Sequence, residues 1–113
     1  MAVIQYSEAR LQSECFLWFH NTHPHLRGRL FLVNNTPKNA TDGARLKAMG
    51  MVKGVSDMIY LRVDHPPLCL EFKLPTGKQS REQVTWQNLA EATGAEYRII
   101  RTFDEFRDAI KGT

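Results

Sequence analysis

Three charged side chains in the middle of the chain carry the most chemical information. Asp57 stands at the mouth of an apolar run, Met58-Ile59-Tyr60-Leu61, and Glu71-Phe72-Lys73 follows about fourteen residues later. On a β-strand, residues two apart share a face, so Glu71 and Lys73 emerge side by side while Phe72 points into a core. The run Leu68 to Phe72 reads as a largely buried strand, and unpaired buried charge costs several kcal/mol. One reading is an ion pair where the strand leaves the core. The other takes in Asp57. If the two strands form a hairpin through Asp64-His65-Pro66-Pro67, the start of one lies beside the end of the other, and Asp57 meets Glu71 and Lys73. Two carboxylates with the main-chain carbonyl of Phe72 between them suit Mg²⁺ or Mn²⁺, hard cations that take oxygen ligands and keep waters. A lysine beside such an ion orients a water or neutralises charge on a phosphate.

These elements need others to position them. Ser7 reads as the N-cap of a first helix over 7–20, with Leu11, Cys15 and Trp18 at helical spacing and Phe16 and Leu17 broadening the stripe. Glu14 falls on or beside that inward face, and Glu8 is the alternative acid if the register differs. Arg29 to Val33 reads as a strand broken by Asn34-Asn35-Thr36-Pro37, where the asparagines cap a turn or bond phosphate. Lys38 to Thr41 reads as loop, and Asp42 to Met49 as a short helix closed by Gly50. Gly50 and Gly54 let the following loop turn and admit a phosphate. Arg45, Lys47 and Lys53 there, with Lys78 and Arg81 further on, are the candidate contacts to a nucleic-acid backbone; a merely solvated basic face is the alternative.

Ser80 and Gln83 form a capping box opening a helix packed through Val84, Trp86, Leu89, Ala90 and Thr93. Glu96 to Ile100 is a further strand, with Tyr97 and Ile99 on one side. Thr102 and Glu105 form a second box before a helix with Phe103, Phe106 and Ile110 on one face. The order αβαββαβα predicts an α/β fold with a central mixed sheet flanked by helices. Three histidines, His20, His23 and His25, stand without cysteines or further ligands at finger-like spacing, so a solvent-facing loop is the better reading.

Asp57 with Glu71-x-Lys73 resembles the PD-(D/E)XK nuclease pattern. The flanks are more specific. Gly54-Val55-Ser56-Asp57, Leu70-Glu71-Phe72-Lys73, and Pro75-x-Gly77-x-x-Ser80-x-x-Gln83 resemble the virus-type replication-repair nuclease (VRR-Nuc) family, from about Glu14 to Ile110. Ser56 departs from the family's commoner proline. The resemblance implies a restriction-endonuclease-like core and metal-dependent hydrolysis of phosphodiester bonds in DNA, branched or flapped, in replication, repair or recombination. It implies roles for Glu14 in supporting the metal site and for Gln83 in aligning water, lysine or phosphate. As a capping residue Gln83 has a competing role, since one amide cannot both fold back and reach the cleft. The resemblance further implies a homodimer and a helicase or replication partner in a bacterial or phage-infected cell. A catalytically inactive nucleic-acid-binding or scaffold module on the same core is the alternative.

Composition sets outer bounds. With 113 residues, 42% hydrophobic and 24% charged, the chain suits one domain over 1–113. A net charge of +3 is compatible with a polyanionic partner without requiring one. The sequence lacks a membrane-length apolar run and a signal-peptide pattern, which points to a cytoplasmic location. Cys15 and Cys69 read as reduced core residues.

Overall fold

A computed structural model describes residues 6–33 and 36–111; the Asn34-Asn35 pair lies outside them. The elements are α1 (Glu8–Thr22), β1 (Leu30–Leu32), α2 (Ala40–Ala48), β2 (Met58–Tyr60), β3 (Leu68–Phe72), α3 (Arg81–Ala92), β4 (Glu96–Ile100) and α4 (Phe103–Ile110), with a 3-10 turn at Pro24–Leu26. The sheet runs β1-β2-β3-β4. β1, β2 and β3 are antiparallel neighbours, and β4 joins β3 in parallel, as the α3 crossover requires. This is the mixed sheet that the sequence predicts.

β3 is buried along all five residues, and alternation divides it between two layers. Leu68, Leu70 and Phe72 enter the main core with Met58, Tyr60 and Ile100, against Leu11, Cys15 and Phe19 of α1 and Phe106 and Ile110 of α4. Cys69 and Glu71 face the opposite way, toward α3. Both cysteines are free and buried.

Several local expectations need correction. α1 extends to Thr22, so the histidine run is a helix end and a turn, and the ring of His23 packs on Trp18 and Phe19. Phe16 and Leu17, expected to widen the buried stripe, are exposed. Asn39 caps α2 by accepting from Asp42 N at 2.8 Å, so residues 38–41 are a helix start and not a loop. α3 packs through Gln83, Trp86, Gln87 and Ala90, spaced i, i+3, i+4, i+7; Val84, Leu89 and Thr93 face outward. At α4, Thr102 accepts from Glu105 N, but the Glu105 carboxylate reaches one residue further back, to Arg101 N.

The two glycines near Asp57 have distinct roles. Gly50 follows α2 at φ +106°, as a helix stop. Gly54, at φ +85°, lies against the backbone of α3: a Cβ there would stand 2.2 Å from the Glu82 carbonyl oxygen and 2.7 Å from Gln83 N. Its bare face admits a helix, not a phosphate. This contact fixes the segment carrying Asp57 against the start of α3. Gly54→Ala is expected to cost about 3 kcal/mol or more, because both the backbone angle and the space oppose a side chain. Urea denaturation measures it; a cost below 1 kcal/mol contradicts this packing.

Candidate metal centre

The hairpin register delivers the acids as the sequence predicts. Met58 pairs with Leu70, so Asp57, one residue before β2, comes opposite Glu71. Asp57 Oδ2 accepts a hydrogen bond from Phe72 N at 2.7 Å. In an extended strand a residue's N–H and C=O project to the same edge, so the Phe72 carbonyl also faces the Asp57 side. Lys73 Nζ stands 4.0 Å from Glu71 Oε2. Asp57, Glu71, Phe72 and Lys73, drawn from two strands, therefore converge at one end of the sheet.

Glu71 is fully buried. Its Oε1 accepts from the Tyr97 hydroxyl and from Gln79 Nε2 at 2.9 Å. Its Oε2 has no hydrogen-bond partner, alone among the buried side-chain oxygens and nitrogens of the described residues. Burying such an oxygen without a hydrogen bond is costly, and native structures rarely tolerate it without a ligand, ion or water to meet it. Asp57 is partly buried, and burial foremost pushes its carboxyl above the ordinary aspartate value. The charges of Glu71 and Glu8 push the same way; the Phe72 N–H and Lys73 oppose them.

Glu14 does not reach this cleft. It is exposed, accepts from the Tyr6 hydroxyl at 2.7 Å and pairs with Arg10 at 3.2 Å. Those donors, Tyr6 first, hold its carboxyl below the ordinary glutamate range. Glu8 stands there instead. A Cβ on Gly77 would lie 3.6 Å from Glu8 Oε2 and 3.5 Å from Lys73 Cδ, so both side chains flank one small hollow. The register signals this, since Glu8, Leu11 and Cys15 run i, i+3, i+7 along the buried face.

Gln83 is likewise withdrawn. Its Oε1 accepts from Ser80 N at 2.8 Å and its N–H donates to Ser80 Oγ at 3.1 Å, so the capping role prevails. Gln79 and Gln87 take the place at the carboxylate, joined at 2.8 Å. Gln87 was legible as a polar residue in the inward register of α3. Tyr97 was legible too, because it shares a face with Cys69 and Glu71 across the parallel pair β3–β4. Gln79, in a turn, carries no such signal.

Among the predicted phosphate contacts, Lys47 and Lys53 line a furrow beside α2 that continues past Val52 to Arg81, Trp86 and Leu89 on α3. Arg45 is tied to Asp42 at 2.8 Å, and Lys78 is exposed. Among the described residues, no three or more His, Cys, Asp or Glu side chains gather as a metal cluster, so the histidine run forms none. The donor set at β2 and β3 is two acids and a carbonyl, which fits an ion that keeps most of its waters.

No family model matches the sequence, and no curated protein matches it. The fold does match solved structures. One, described as a "VRR_NUC domain protein", superposes with a TM-score of 0.79 over 96% of this chain and 88% of its own, at 16% identity. The chain thus shares the α/β fold of a VRR_NUC domain protein.

Proposed function

We propose that this chain is a metal-dependent nuclease that hydrolyses phosphodiester bonds in DNA. The observation that carries this reading is the buried Glu71 Oε2, which accepts no hydrogen bond and faces Lys73 only across 4.0 Å, beside Asp57. The shared fold supports it. Asp57 and Glu71, with the Phe72 carbonyl, would hold Mg²⁺ or Mn²⁺, which supplies Lewis-acid polarisation of the phosphate and a more acidic water. Lys73 orients the attacking water and offsets charge gathering on the phosphate. Glu8, at the edge of the hollow, serves in the role expected of Glu14. Lys47, Lys53 and Arg81 steer the DNA backbone along their furrow. Branched or flapped DNA, a second copy of the chain and a helicase or replication partner complete the reading. Among the described residues, no helix is long and apolar enough to cross a membrane.

The test is incubation of the protein with branched, flapped and linear DNA in Mg²⁺, Mn²⁺ or EDTA. Cleavage dependent on the divalent ion is expected, and DNA binding insensitive to chelator with no cleavage of any substrate contradicts it. The pH profile adds a second check. Asp57 must be ionised to hold a cation, and its proton is held above the ordinary aspartate value. At sub-saturating Mn²⁺, cleavage should therefore decline as pH falls, starting above the range where a free aspartate protonates, and saturating Mn²⁺ should move the decline to lower pH. A profile flat down to that range contradicts the role of Asp57.

A further inference from the structure

The two oxygens of Glu71 are chemically unequal. The Gln79 amide nitrogen has two protons; one goes to Glu71 Oε1 at 2.9 Å and the other to Gln87 Oε1 at 2.8 Å. That pattern fixes which end of the amide faces the acid. The Tyr97 hydroxyl gives its single proton to the same Oε1. Oε1 thus carries two donors and Oε2 none. Asp57 is divided in the same way, with Oδ2 occupied by the Phe72 N–H.

We infer that Tyr97, Gln79 and Gln87 form a positioning set that withholds one oxygen of Glu71 and thereby sets ion selectivity. This rests on the metal-site reading above. With Oε1 engaged, Glu71 offers a cation one oxygen, and Asp57 offers one. Mg²⁺ and Mn²⁺ accept such a sparse set because water completes their shell. Ca²⁺ takes six to eight oxygens and can fill its larger shell by drawing both oxygens of one carboxylate. The network therefore disfavours Ca²⁺ by denying it the second oxygen. None of the three residues need touch the ion. Tyr97 acts from β4, Gln87 from the inward face of α3, and Gln79 from the turn between β3 and α3.

Calorimetric titration of the metal-free protein with Mn²⁺ and with Ca²⁺ tests this. The variants are Tyr97→Phe, Tyr97→Phe/Gln79→Leu and Gln87→Met, with thermal unfolding as a check on folding. Tyr97→Phe removes one oxygen and keeps the ring that packs on Trp86 at 6.1 Å between centroids. Gln87→Met alters only the residue that steadies Gln79. Wild type is expected to prefer Mn²⁺. The ratio of Mn²⁺ to Ca²⁺ affinity should fall by roughly tenfold in Tyr97→Phe, further in the double variant and less in Gln87→Met, the scale of residues that orient metal ligands. A ratio unchanged in all three, or both affinities falling in proportion, overturns the selectivity role, since a merely structural defect weakens both ions alike. Wild-type protein that binds neither ion overturns the metal site itself, and the inference with it.

Discussion

Glu71→Gln and Asp57→Asn are each expected to lower DNA cleavage by roughly a thousandfold or more, and Asp57→Asn should leave the metal-free protein at least as stable as wild type. The loss follows from removing a charged oxygen that holds the ion. Such a change exceeds the ten- to hundredfold typical of residues that only orient ligands. The unchanged or raised stability follows from burial. Asp57 keeps its carboxyl above the ordinary value chiefly because its charged form is desolvated. A carboxylate whose folded-state pKa is raised favours folding in its neutral form. Its ionisation therefore costs stability as pH rises through that pKa, and the cost stays in force at neutral pH. Asparagine removes the charge, and its carbonyl oxygen can still accept from Phe72 N. Glutamine at 71 can still accept from Tyr97 and Gln79 through its oxygen, but it leaves the Lys73 ammonium without its carboxylate, so Glu71→Gln is expected to lose stability. Cleavage rates and urea denaturation without metal measure the two halves. Near-wild-type cleavage by both variants contradicts the site, and loss of activity accompanied by unfolding leaves a structural role as the better explanation.

Lys73→Met is expected to lower stability, the reverse of Asp57→Asn. Lys73 Nζ is the cation nearest the free oxygen of a fully buried glutamate, at 4.0 Å. Removing one partner of a buried pair typically costs 3–5 kcal/mol, because the other charge is left uncompensated. The separation here is long and Glu71 keeps two donors on Oε1, so about 2 kcal/mol is expected. Added Mn²⁺ should recover more stability in Lys73→Met than it adds to wild type. The double variant Glu71→Gln/Lys73→Met, which removes both members of the pair, should regain most of the loss. Cleavage by Lys73→Met should fall by about a hundredfold or more. Equal stability of Lys73→Met and wild type without metal contradicts the compensating role.

What the sequence made legible was the part governed by short-range rules. The alternation of β3 and the length of the hairpin through residues 64–67 place Asp57 opposite Glu71 with no tertiary information. The caps at Ser7, Ser80 and Thr102 locate three helix starts. Misreadings arose where two local signals competed. Phe16 and Leu17 widened the apparent inward stripe of α1 toward Glu14, yet both are exposed, and the true stripe of Leu11, Cys15 and Phe19 points to Glu8. Gln83 fitted both a cap and a cleft; the cap is three residues away along the chain and the cleft requires a tertiary approach, so the local partner prevailed. Glu71 draws its donors from a turn and a parallel strand 8 and 26 residues distant, and no spacing rule reaches that far for Gln79.

Mn²⁺ soaked into crystals of the wild-type protein, located by anomalous scattering, tests the central claim most directly. The account predicts one strong peak between Asp57 and Glu71, in contact with Glu71 Oε2 and not Oε1, with Tyr97 and Gln79 still bonded to Oε1. A saturating soak that leaves this point empty, with Lys73 Nζ closed directly onto Glu71 Oε2, would contradict it.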